Sequence, residues 1–203
     1  MRSLLFLLSI LIMLLLIPPL VAEDAQTWYE TGVKFLDQKN YLAAVDAFKN
    51  STALEPNNTW AWLNLGKAYQ GMNWKTASYP AFKNASLTDP MNTWAWIFLG
   101  NLRQERSQIP EAIQMYLNAT RSDPTNSWAQ YHLGTAYQAQ ARWNEAEGSF
   151  LNATSLDPKN QWGWYNLAVV YKEEGNTTGF DTALHMATAI DPDLPRKVKL
   201  NTA

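Results

Sequence analysis

The sequence repeats itself with a fixed period, and that period decides what the chain can fold into. Asn152-Ala153-Thr154-Ser155-Leu156-Asp157-Pro158 recurs 34 residues earlier as Asn118-Ala119-Thr120-Arg121-Ser122-Asp123-Pro124. It recurs again as Asn84-Ala85-Ser86-Leu87-Thr88-Asp89-Pro90, and more loosely as Asn50-Ser51-Thr52-Ala53-Leu54-Glu55-Pro56. A period in this range builds stacked supersecondary units, each too small to bury its apolar face alone. Pro56, Pro90, Pro124, Pro158 and Pro192 close five units, at 25–58, 59–92, 93–126, 127–160 and 161–194.

Within a unit, residues are numbered from its first position. Position 4 is Trp28, Trp62, Trp96, Gln130 and Trp164; position 7 is Thr31, Leu65, Leu99, Leu133 and Leu167. Position 8 is Gly32, Gly66, Gly100, Gly134 and Ala168; position 11 is Phe35, Tyr69, Arg103, Tyr137 and Tyr171. Positions 4, 7, 8 and 11 share one helix face. Positions 20, 24 and 27 share a face of a second helix, with Phe48, Phe82, Tyr116, Phe150 and Leu184 at position 24. The small residue at position 8 lets the two helices approach. The closing proline stops the second helix. Asn58, Asn92, Asn126 and Asn160 are positioned to cap the next first helix, with Thr59, Thr93 or Ser127 as competitors. Each unit is thus expected to be a helical hairpin.

The pattern resembles the tetratricopeptide repeat (TPR) family over residues 25–194. The period, the run Trp62-x-x-Leu65-Gly66-x-x-Tyr69, the later Ala and Phe, and the closing Pro carry the resemblance. Arg103 in place of an aromatic, Pro80 early in a second helix and Phe180 in place of a small residue depart from it. The resemblance implies an all-α, right-handed solenoid of five 34-residue hairpins with a concave face lined by first helices. It implies partner binding without catalysis. The family's carboxylate clamp of Lys, Asn and Arg is matched only by Asn64. Tyr29, Val33, Trp94 and Phe98 stand at the other clamp positions, so capture of an acidic chain terminus is not expected.

Residues 1–22 read as a signal peptide: Arg2, an apolar run from Leu4 to Ile17, then Pro18-Pro19-Leu20-Val21-Ala22. The alternative is a membrane anchor over residues 4–22, whose length is close to a bilayer span. Either reading places the repeats outside the cytoplasm, secreted or at the cell surface. Residues 195–203 form a short basic tail. A formal charge of −2 argues against a nucleic-acid partner. With no Cys, thiolate metal sites and disulfides are excluded. His132 and His185 stand in different helices, and no nucleophile has a partner. No metal site, no cofactor and no enzyme activity is therefore expected.

Two surfaces are candidates for function. On first helices, positions 2, 6, 9 and 13 point away from the seam. Position 2 carries Trp60, Trp94, Trp128 and Trp162; position 6 carries Asn64, Phe98, His132 and Asn166; position 12 adds Gln70, Gln104 and Gln138. Trp is favoured at binding hot spots for its large, rigid area. The competing reading packs these Trp into the seam between units. On second helices, position 26 lies well away from the apolar face and carries Asn50, Asn84, Asn118 and Asn152, each within Asn-x-Ser/Thr. Asn57 and Asn176 complete six such triads, where chance predicts roughly two. N-glycans on a convex ridge are expected if the chain is exported. Three roles follow: protein or peptide binding in a Trp-lined groove; a glycan-coated filament of copies stacked head to tail, because only a short segment follows the last unit; or a carbohydrate-binding module.

Overall fold

The computed structural model describes residues 24–194. The proposed signal or anchor segment and the basic tail at 195–203 lie outside the described residues. Ten α-helices and no strands are present among the described residues. They are α1 (Ala25–Asp37), α2 (Tyr41–Leu54), α3 (Thr59–Gly71), α4 (Lys75–Thr88), α5 (Thr93–Glu105), α6 (Ile109–Ser122), α7 (Ser127–Gln138), α8 (Trp143–Leu156), α9 (Gln161–Glu173) and α10 (Thr177–Ile190). Consecutive helices pair as five hairpins, and each hairpin's second helix packs on the first helix of the next. The result is an all-α helical-hairpin solenoid.

Each hairpin turns through one left-handed residue at the same repeat position: Lys39, Asn73, Ser107, Ala141 and Gly175, with φ between 54° and 73°. The following amide donates back to the carbonyl five residues earlier, at Phe35, Tyr69, Arg103, Tyr137 and Tyr171. This closes the helix end in the manner of a Schellman motif. Only the last hairpin uses the residue that reaches this conformation without steric cost.

The close approach expected at position 8 is present. A Cβ added to Gly32, Gly66, Gly100 or Gly134 would lie 2.7, 2.4, 2.4 and 2.7 Å from ring carbons of Phe48, Phe82, Tyr116 and Phe150. In the last unit the pairing changes to Ala168 with Leu184 in one core cluster. Leu65 and Ala68 pack with Phe48 of the preceding hairpin, and Leu99 and Leu102 pack with Phe82. Positions 7 and 10 of first helices therefore bind the unit before. In α1, which has no preceding unit among the described residues, the same positions hold Thr31 and Lys34, and position 3 holds Thr27 instead of buried Ala61 or Ala95. At these positions the first described helix is polar, as terminal repeats of solenoids commonly are.

The junctions between units carry the specific bonds. Asn58, Asn92, Asn126 and Asn160 cap the following helices through their side-chain oxygens. Thr59 and Thr93 are not the caps. Their hydroxyls meet those of Thr88 and Ser122 at the end of the second helix of their own hairpin, each at 2.9 Å. The indole N–H groups of Trp62, Trp96 and Trp164 donate to the carbonyls of Pro56, Pro90 and Pro158 at 2.8, 2.8 and 3.0 Å. The proline that ends one unit thereby anchors the next. Arg103 compensates for its missing aromatic ring: its guanidinium lies 4.7 Å over Tyr79 and donates to the Tyr79 hydroxyl at 2.7 Å and to Gln108 at 2.9 Å. Pro80 stands within α4 on its exposed side.

Candidate functional site

The first helices set the candidate surface. Position 2 sits in their first turn, directly after the Asn cap, so the cap fixes where each Trp leaves the backbone. Trp60, Trp94 and Trp128 are 54%, 39% and 42% exposed, while Trp162 is half-buried. Their ring contacts are to the next turn of their own helix. Trp94 lies 6.2 Å from Phe98, Trp128 meets Tyr131 edge-on at 5.8 Å, and Trp162 meets Tyr165 edge-on at 6.4 Å. Three Trp thus keep open ring surface at equivalent places along the stack.

Position 6 behaves differently from its sequence expectation. Its side chains bind neighbouring helices. Asn64 is buried and donates to the Tyr29 hydroxyl of the preceding unit at 3.4 Å. Asn166 donates to the Trp162 carbonyl at 2.9 Å and, more weakly, to the Tyr131 hydroxyl at 3.5 Å. Phe98 stacks on Phe82 with ring centres 4.8 Å apart, and His132 stacks on Tyr116 at 5.5 Å. Burial holds the His132 pKa down to about 4, because the cation would lose its hydration. At neutral pH this imidazole is an uncharged ring in the seam.

Between α5 and α7 the surface opens into a hollow of about 370 Å³ lined by Asn101, Gln104, Glu105, Tyr131, His132 and Thr135. A second opening of about 460 Å³ adjoins it and is lined by Gln70, Asn73, Lys75, Phe98, Asn101 and Glu105. Lys75 and Glu105 pair at 3.0 Å on the shared rim, both side chains about half exposed. Beneath Asn101 and Gln104 lies the wholly buried Tyr116, whose hydroxyl stands 2.7 Å from Asn101 Oδ1 and 3.0 Å from the Gln104 amide oxygen. Burial pushes the Tyr116 pKa up, with the Glu105 charge as a smaller cause. Of the sequence candidates, Gln70 and Gln104 join these hollows, as do Phe98 and His132. Gln138 is half-buried and lines neither. Asn101 and Thr135 stand at position 9, on the face assigned to the groove, whereas Glu105, Tyr131 and Tyr116 were missed. The available signal was Tyr116 itself, since position 24 is Phe in three other units.

The sequon asparagines occupy two kinds of place. Asn50 and Asn152 are exposed within α2 and α8, and Asn84 and Asn118 are half-buried within α4 and α6. The Asn118 side chain accepts from Arg121 at 3.2 Å. The third residue of the helical triads faces inward: Thr52, Ser86 and Thr154 are buried. Their hydroxyls, with that of Thr120, donate to carbonyls of their own helices. Asn57 and Asn176 lie in exposed connections, and Asn176 also caps α10.

Comparison with known proteins agrees with this architecture. Models of the TPR repeat and the tetratricopeptide repeat match residues 100–141, 131–161 and 149–184. The crystal structure of MamA is similar, with 20% identity, a TM-score of 0.73, and 88% of this chain and 96% of that one covered. YrrB, described as a TPR protein with an unusual peptide-binding site, has 20% identity and a TM-score of 0.70 over 87% and 92%. PilF of Pseudomonas aeruginosa has 16% identity and a TM-score of 0.74 over 82% and 76%. At these identities the likeness is one of fold. Among curated sequences there is no match. Residues 100–184 thus match tetratricopeptide-repeat models, and the fold is that of the tetratricopeptide-repeat solenoids.

Proposed function

We propose that this chain is an exported scaffold that binds a protein or an extended peptide along the face carrying Trp60, Trp94 and Trp128. The observation that carries the reading is the open ring surface of three Trp at one repeat position. Exposed Trp costs stability through its contact with water and brings large contact area to an interface. The fold-level likeness to YrrB, a peptide-binding protein by its description, agrees. Export rests on the leader-like residues 1–22. N-glycans are part of the same proposal. Asn57 and Asn176 are exposed acceptors in connections outside the helices. Transfer to Asn50, Asn84 and Asn152 would have to precede folding, because the neighbouring Thr52, Ser86 and Thr154 are buried.

Replacing Trp60, Trp94 and Trp128 together with Ala tests the groove. The exposed rings contribute little to packing, so the helical circular dichroism should persist while affinity for peptides selected from a blocked-terminus library falls at least 30-fold. Undiminished binding in the triple variant would refute the reading. Intact mass of the secreted chain, before and after enzymatic removal of N-glycans, tests the modification. A single mass equal to the polypeptide would refute it.

A further inference from the structure

We infer that the hollow between α5 and α7 reads the main chain of an extended peptide through Asn101 and Gln104, and that the buried Tyr116 hydroxyl is the residue that orients both amides for it. The inference rests on the groove reading and names the chemistry at its centre.

The argument begins with a count of protons. A phenol has one proton to donate and lone pairs that accept. The Tyr116 hydroxyl lies within bonding distance of two amide groups, 2.7 Å from Asn101 Oδ1 and 3.0 Å from the Gln104 side chain. It donates to one oxygen only. The shorter contact takes the proton, so Asn101 is held with its carbonyl toward the phenol. Gln104 satisfies the phenol oxygen only when its amide is turned around and Nε2 donates to it, a reversal that leaves every heavy-atom position unchanged. The two amides then present opposite ends to the hollow. Asn101 offers N–H donors and Gln104 offers a carbonyl acceptor. They stand three residues apart on α5, so their side chains are neighbours on one face.

An extended residue shows its N–H and C=O toward the same edge, the pairing that two β-strands exchange. A donor beside an acceptor is the complement of that edge. The rest of the hollow suits an uncharged main chain. His132 is neutral at physiological pH, Thr135 donates its own hydroxyl to the His132 carbonyl at 2.8 Å, and Glu105 is paired at the rim with Lys75. Tyr116 itself is wholly buried with its ring against His132, so it touches no ligand and acts only through the amides. Nothing in the packing requires its hydroxyl. Phe48, Phe82 and Phe150 fill the equivalent place, each against its own glycine.

Tyr116→Phe is therefore the test. Peptides acetylated at one end and amidated at the other are selected against the full-length mature protein, and the tightest binder is measured against variants. Tyr116→Phe should keep its unfolding midpoint near wild type and weaken binding about 5- to 10-fold, the worth of one net hydrogen bond. Adding Tyr116→Phe to the double variant Asn101→Ala/Gln104→Ala should weaken binding no further. Replacing single ligand amides by esters should locate one linkage whose loss removes the sensitivity to Tyr116→Phe. In side-chain amide NMR spectra of the free protein, the Asn101 and Gln104 signals should move and broaden in Tyr116→Phe. Unchanged affinity in Tyr116→Phe, with binding still lost in Trp94→Ala/Trp128→Ala, overturns this inference and leaves the groove reading standing. Failure of the wild-type protein to bind any blocked peptide, or binding of neutral oligosaccharides instead, overturns both.

Discussion

One substitution, glycine to alanine, should have opposite signs at two places in this molecule. Gly66 and Gly148 both lie inside helices, so alanine recovers about 1 kcal/mol of helix propensity at each. At Gly148 in α8 an added Cβ meets nothing within 4 Å. The full gain should appear, and Gly148→Ala should be more stable than wild type by about 1 kcal/mol. At Gly66 the added Cβ would lie 2.4 Å from Phe82 Cε1, and Phe82 is wholly buried. Overpacking a core costs about 1–3 kcal/mol, and a rigid ring with nowhere to move belongs at the upper end. The net for Gly66→Ala is a loss of about 2 kcal/mol. The fifth unit suggests the remedy, since it pairs Ala168 with Leu184, so Gly66→Ala/Phe82→Leu should recover part of the loss. Urea unfolding followed by far-UV circular dichroism and Trp fluorescence reads both. With m near 2 kcal/mol/M, Gly66→Ala should lower the midpoint by about 1 M and Gly148→Ala should raise it by about half that. A Gly66→Ala midpoint at or above wild type would refute the claim that position 8 is small for close approach.

Three further outcomes follow from the same geometry. Ala141 holds φ at 54°, which costs an L-residue about 1–2 kcal/mol, so Ala141→Gly should raise the melting temperature by about 2–4 °C; Gly175→Ala should lower it by a similar amount. His132 titrates near 4 when folded and near 6.5 in an unfolded chain. The unfolded state therefore takes the proton first, and this contribution is complete above about pH 6.5 and is lost as pH falls toward 4, with a ceiling of about 3 kcal/mol. His132→Phe, which copies Phe98, should flatten the stability profile between pH 6.5 and 5 in chemical denaturation. Trp96→Phe removes the bond to the Pro90 carbonyl and should cost about 1 kcal/mol, read as a lower urea midpoint with unchanged m.

The hairpins were legible because their signals are local. Pro90 stops α4 and Asn92 starts α5 through interactions within a few residues, and the sequence contains every participant. The Gly66–Phe82 contact was also legible, since both ends recur at the period. The junction bonds were not. Trp62, Trp96 and Trp164 donate to backbone carbonyls, which no residue letter reveals. Position 6 was assigned to the groove by helical angle, yet Phe98 and His132 lie against Phe82 and Tyr116, and Asn64 reaches Tyr29. A helix angle gives direction and not depth, and the neighbouring unit decides whether that direction meets water.

The repeated Asn-x-Ser/Thr phrase shows how one motif can have two causes. Its third residue is explained by packing alone. Thr154 Cγ2 lies 3.0 Å from where a Cβ on Gly163 of the next unit would stand, and the Thr154 hydroxyl is satisfied within its own helix by Phe150 and Leu151. A small side chain that carries its own hydrogen bond suits this buried place, and Thr52 and Ser86 occupy it similarly. Burial does not select Asn at position 26, since Asn50 and Asn152 are exposed. The excess of sequons is therefore partly an excess of inward-facing hydroxyls. Asn57 and Asn176 stand outside this confusion. Thr178, third in the Asn176 triad, is exposed, and Thr59, third in the Asn57 triad, is half-buried against Thr88. If the secreted chain carries sugar, Thr178→Ala should remove one glycan mass while leaving the Asn176 cap of α10 and the buried Thr154 packing in place.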